Sequence, residues 1–201
     1  MSDSPRGQMT GLLSPLLERA RNRRAAALIR DGESVLDIGC GRASLLLTLY
    51  ESGKRSVRYF GVDRLAECVE ANQQDHPEHR FCEADLTQDA DLDLGEQFDV
   101  ITMIAVIEHL PNPEAVLQRL RKQLNTDGRL IITTPRRGAE KLHALGARIG
   151  FCSREACEEH VDVFPDQAFF LEKQDSCGLR LDHYERFLLG LNQLAVLSRS
   201  R

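Results

Sequence analysis

The 201-residue chain is 42% hydrophobic and 28% charged, which suffices for one sizeable core and favours a single domain over two. A formal net charge of −5 gives no global attraction to nucleic acid or to an anionic membrane. No apolar run approaches the roughly 18 residues of a membrane span, the start "MSDSPRGQMT" has no apolar targeting core, and the six cysteines form no C-x-x-C pair, so we expect a cytoplasmic protein with reduced thiols.

Ser14 as N-cap and Pro15 at the first helical position predict a helix over about 15–30, stopped by Gly32. It carries Arg19, Arg21, Arg23, Arg24 and Arg30, which read as a solvated basic face. From residue 34 strand-like and helix-like segments alternate. "SVLDI", "VRYFGVD", "RFCEAD" and "FDVITMI" read as strands, "ASLLLTLY" and "LAECVEANQQ" as helices. Asn112 and Pro113 start a helix with Val116, Leu117, Leu120 and Leu124 on one face, which Gly128 ends before the strand "RLIITT". This alternation predicts an α/β, doubly wound, mostly parallel sheet with helices on both faces. Residues 136–178 are helical in places but broken by Gly146, Gly150 and Pro165, and read as a substrate cap. "LRLDHYERF" and "NQLAVLSR" pair as a terminal hairpin over 179–199, giving seven strands with an antiparallel last one.

In such a sheet the ligand lies beyond the carboxyl ends of the strands, and the first strand-to-helix loop lines its crevice. That loop is "DIGCGRA". Gly39 and Gly41 permit a tight turn and close backbone approach, and the following helix directs free N–H groups at the ligand. Glycine is absent three positions after Gly41, where Ser44 stands, so the dinucleotide fingerprint is incomplete. Asp37 would repel a pyrophosphate but suits a ligand presenting an amino group or a sulfonium.

"VLDIGCGRA" resembles motif I of the class I S-adenosylmethionine-dependent methyltransferases, with Ala43 in place of the last glycine. The resemblance runs in order over residues 15–135, which makes them the cofactor-binding core. It implies that Asp63, ending the second strand 26 residues after Asp37, holds the ribose hydroxyls. Likewise Asp85 would accept from the adenine amine and Leu86 donate its backbone N–H to the ring, with Ile104 against the adenine or the methionine part. Cys40 in the loop and Arg64 after Asp63 complete the implied cofactor set.

Methyl transfer from a sulfonium requires chiefly alignment and exclusion of water. Where a base assists, the candidates are His109 in "IEHL" and His160 in "EEHVDVF". His109 resembles the histidine of the "E-x-x-E-H" segment of quinone-pathway O-methyltransferases, and a helix-cap or packing role is its alternative. Small-RNA 2′-O-methyltransferases of this class hold a divalent metal on such a segment plus a distal histidine. Glu108, His109 and His160 match three of those ligands, but Ala105 replaces the first glutamate, so no metal is assigned. The leading expectation is methyl transfer to oxygen or nitrogen of a small molecule. An RNA 3′-terminal methyltransferase, a silent cofactor-binding partner subunit and a nicotinamide-dependent oxidoreductase stay open as alternatives, and the acidic balance argues against nucleic acid.

Overall fold

The computed structural model describes residues 13–88, 94–136 and 165–200. Helix α1 spans Leu13–Ala27, β1 Ser34–Ile38, α2 Ser44–Glu51, β2 Arg58–Asp63, α3 Ala66–Asp75, β3 Arg80–Glu83, β4 Phe98–Ile104, α4 Pro113–Lys122 and β5 Leu124–Pro135. Two short helices, α5 (Gln167–Glu172) and α6 (Gln174–Cys177), precede β6 (Leu179–Phe187) and β7 (Asn192–Arg199). The strands form one sheet in the order β3-β2-β1-β4-β5-β7-β6. Pairing from β3 through β5 is parallel, and β7 runs antiparallel to both β5 and β6. The strand order reverses between β1 and β4, so a crevice opens where these two strands end.

Strand parity builds the core. Leu36, Phe60, Ile101 and Leu130 point to one face, where Val116, Leu117 and Leu120 of α4 cover them. Their neighbours Val35, Tyr59, Val100 and Ile131 point to the other, against Ala25, Ala26 and Ile29 near the end of α1 and Leu45, Leu46 and Leu49 of α2. Both faces of the central strands are therefore dry, as the continuous apolar runs required.

Two expectations need correction. Helix α1 ends at Ala27, with Leu28 and Ile29 donating back to Ala25 and Ala26 in a tighter last turn, so it stops short of Arg30. Gly128 does not end α4. That helix stops at Lys122, β5 already pairs at Leu124 with Phe98, and the next pair is Arg129 with Val100. Gly128 lies in the bulge between these pairs, where a Cβ would come within 2.8 Å of the Phe98 carbonyl. Within 165–178, Phe170 and Cys177 join the α4-side cluster, and Lys173 pairs with Glu114 at 2.7 Å. The rest of the expected cap, 137–164 with His160, lies outside the described residues.

Candidate active site

The site grows from the turn after β1. Gly39 and Cys40 both donate to the carbonyl of Val62 at the end of β2, at 2.8 and 3.0 Å, which folds the loop back over the sheet edge. Gly39 has φ +70°, and a Cβ there would run into Cγ2 of Val106, so the loop after β4 closes directly over it. Ala43, which precedes α2, has φ +54°. This left-handed backbone explains why glycine suits that position, and the alanine bears a modest strain.

Two cavities meet at Gly39, which borders both. The larger, about 620 Å³, lies beside Ile38, Val62, Val106 and Leu110, with Asp63 and Asp85 on its rim. Leu86, Arg64 and His109 also line it. The smaller, about 220 Å³, lies under α1 and is walled by Glu18, Arg21, Asn22, Asp37, Cys40, Gly41 and Ile104. The parity that divides the core divides the crevice too: Ile38 belongs to the α4-side core, whereas Ile104 packs with the α1 and α2 side. A ligand filling both cavities must straddle the end of β1.

Asp63 is held by two backbone donors. Gly41 N–H donates to its Oδ2 at 2.7 Å and Leu65 N–H to its Oδ1 at 3.0 Å, so the carboxylate is aimed before any ligand arrives. Asp85 accepts from the N–H and hydroxyl of Thr87 at 2.9 and 2.6 Å, forming a turn that starts the 3-10 segment Leu86–Gln88 at the cavity wall. Asp37 sits at the small cavity. It is only 3% exposed, and its two oxygens accept from Tyr59 at 2.5 Å and Thr102 at 2.6 Å. Burial raises its pKa from 3.8 to about 6 against the pull of those two hydroxyls. Asp37 thus supplies a negative wall whose oxygens are already hydrogen-bonded.

His109 ends a 3-10 turn, Ile107–His109, on the wall of the larger cavity. Glu108 beside it is buried, and its Oε2 accepts from Thr134 at 2.9 Å. Burial pushes its carboxyl above the usual range, with His109 and Arg21 drawing it back. Ala105 has φ +56° and offers no oxygen. Among the described residues no three His, Cys, Asp or Glu side chains converge on a point that could hold a metal ion.

Sequence reasoning missed Arg21. Of the five arginines in this stretch, Arg19, Arg24 and Arg30 pair with surface-side carboxylates of Glu51, Glu185 and Glu33, and Arg23 is exposed. Arg21 instead turns into the small cavity, and its Nε is buried without a hydrogen-bond partner. Burial lowers its pKa, while Glu108 and Glu18 raise it again. A signal existed: Arg21, Ala25 and Ile29 follow the spacing of one helical stripe, and the latter two are core. A half-buried guanidinium with an unpartnered Nε–H fits an anionic group such as a carboxylate.

Residues 6–172 match a family model described as a methyltransferase domain. The ubiquinone biosynthesis O-methyltransferase of Glaesserella parasuis serovar 5 (strain SH0165) is 33% identical over 136 residues, 64% of this chain and 56% of that protein. The trans-aconitate 2-methyltransferase of Azoarcus sp. (strain BH72) is 32% identical over 126 residues, covering 63% and 48% of the two chains. The chain thus spans about half the length of the curated relatives it matches. Among solved structures, a TehB-like SAM-dependent methyltransferase from Corynebacterium glutamicum aligns with TM-score 0.62 at 21% identity, over 90% of this chain and 87% of that one. The magnesium protoporphyrin IX methyltransferase from Synechocystis PCC 6803, solved with bound SAM, aligns with TM-score 0.64 at 17% identity, over 92% and 81%. These two likenesses are of fold.

Proposed function

This chain belongs to the class I S-adenosylmethionine-dependent methyltransferases, and from that premise we propose that it methylates an oxygen or nitrogen nucleophile of a small-molecule acceptor. One observation carries the cofactor assignment: two cavities of opposite character join at Gly39. The larger has apolar walls and two carboxylates at its rim, which suits a nucleoside with its ribose hydroxyls at Asp63 and its base near Asp85 and Leu86. The smaller presents two arginines and two carboxylates, Arg21 and Arg42 with Glu18 and Asp37, which suits the zwitterionic end of an amino acid. A dinucleotide would instead bring phosphates toward the Glu18 and Asp37 carboxylates.

When bound, S-adenosylmethionine supplies an electrophilic methyl on a sulfonium that leaves as a neutral thioether. The residues of the chain have a lighter task. Gly39 lets the backbone approach the junction of the cavities, and Asp63 and Arg21 fix the two ends of the ligand. Val106, Leu110 and Pro111 keep water from the larger cavity. His109, on that wall, takes the proton from a hydroxyl as methylation proceeds, or from an ammonium before its nitrogen attacks, and His160 is a second candidate base. The small-molecule acceptor is supported by the relatives, which include ubiquinone-pathway and trans-aconitate enzymes. Among the described residues no helix is long and apolar enough to cross a membrane, and Cys40, Cys68, Cys82 and Cys177 are free thiols.

Isothermal titration tests the proposal. S-adenosylhomocysteine should bind more tightly than NAD, and no binding would refute the cofactor assignment. Transfer of labelled methyl from S-adenosylmethionine into a small-molecule extract should exceed transfer into RNA. The reverse order would replace the acceptor class, and binding without any transfer would make the protein a silent cofactor-binding subunit.

A further inference from the structure

We infer that Asn72, outside both cavities, is a positioning residue that sets the cofactor loop through the Gly41 carbonyl. The inference rests on the cofactor reading above. Asn72 is the single buried residue of α3, 1% exposed in a helix whose other side chains are exposed or half-buried. Packing alone would favour an apolar side chain at that position, because a buried amide is costly unless its hydrogens are used. Here Nδ2 donates to the Gly41 carbonyl at 2.7 Å and to Cys40 Sγ at 3.8 Å.

What the amide grips is a glycine with little else to hold it. Gly41 has φ +49°, and a Cβ built on it would meet nothing within 4 Å, so no side-chain packing fixes this part of the loop. Hydrogen bonds on either side of its Cα do so instead: its N–H donates to Asp63 Oδ2 and its carbonyl accepts from Asn72. Together they fix both backbone torsions of Gly41. Asn72 therefore acts on the ligand through Asp63. The second tie between α3 and the loop, Arg42 with Asp75 at 3.3 Å, is exposed on both sides and contributes little.

Titration of S-adenosylhomocysteine into the full-length protein tests this. Wild-type binding is measured first, since its absence would refute the cofactor reading itself. Asn72→Ala should weaken binding about tenfold, and Asn72→Asp, which sets a carboxylate oxygen against the Gly41 carbonyl, by more. Asp75→Asn should leave the affinity unchanged. In an Asp63→Ala background, Asn72→Ala should cause no further loss, because its route to the ligand has been removed. Unchanged affinity in Asn72→Ala, or losses that add in the double variant, would overturn the inference while leaving the cofactor assignment standing. Asn72→Ser, which keeps a small donor in the buried space, carries the same comparison should the alanine variant not fold.

Discussion

The phenol of Tyr59 donates to Asp37 across a position where β2 carries no side chain. Asp37 pairs in register with Gly61, so the tyrosine two residues earlier reaches over the gap. The resulting buried carboxylate has its pKa raised from 3.8 to about 6 by desolvation. A group of this kind favours the folded state fully below its unfolded pKa and loses that contribution as pH climbs through its folded pKa. Wild-type stability should therefore fall by up to about 3 kcal/mol from this group between pH 4 and pH 7. Asp37→Asn should lack that fall. Denaturant unfolding at the two pH values checks it: the variant should gain on wild type as pH rises, and parallel pH profiles would contradict the buried-carboxylate account.

At Gly39 backbone conformation and space act together, through φ +70° and the proximity of Val106. Gly39→Ala should lower stability by about 1–3 kcal/mol and abolish measurable S-adenosylhomocysteine binding. Gly39→Ala with Val106→Ala removes the clash but not the torsional strain. We expect the double variant to recover part of the stability in thermal unfolding, and no recovery would mean that torsion alone excludes the side chain.

Ala43 offers the opposite case, a residue with a Cβ where the backbone favours none, at φ +54° and fully buried. Glycine would relieve left-handed strain of about 1–2 kcal/mol, but would lose a buried methyl and gain unfolded-chain entropy. The effects nearly cancel, so Ala43→Gly should unfold within about 1 kcal/mol of wild type and keep cofactor affinity. Ala43→Val, β-branched in the same backbone, should be severely destabilised in the same melt.

Replacing Arg21 by methionine keeps an unbranched stem about as far as Nε and removes the charged guanidinium. Loss of a charge-assisted bond of about 1.5–3 kcal/mol predicts roughly ten- to hundredfold weaker binding of S-adenosylhomocysteine by calorimetry. Adenosine, which has no carboxylate, should bind wild type and variant alike. A matching loss for adenosine would place Arg21 outside the amino-acid end of the site.

His109→Ala separates chemistry from binding. With an acceptor identified, turnover should fall about 10²- to 10⁴-fold if the histidine takes the proton, with S-adenosylhomocysteine affinity little changed. Full turnover would leave alignment of the reactants as the main catalytic device.

Much of the scaffold was legible before folding because its signals are local. The segments Phe98–Ile104, Leu179–Phe187 and Asn192–Arg199 match their sequence-read bounds, and Asn112 caps α4 by accepting from Ala115 N–H at 3.2 Å. Apolar runs, a cap and a glycine turn involve neighbours within a few positions, so the chain itself spells them. The loop from Gly39 to Ala43 and the carboxylates Asp63, which ends β2, and Asp85, two residues past β3, were legible for the same reason.

What tertiary structure decided is which distant groups meet. Gly128 became a bulge because β5 pairs with Phe98 earlier than its glycine suggests, and bulges depend on the opposite strand. Arg21 turned inward because α1 packs against α2, β4 and β5, and Asp37 found Tyr59 and Thr102 only through strand register. The division of the crevice into an apolar and a charged half follows from the order β3-β2-β1-β4-β5-β7-β6, which brings β1 and β4 side by side across some 60 intervening residues. Periodicity fixes what a segment is, but long-range pairing free energy fixes where its side chains arrive.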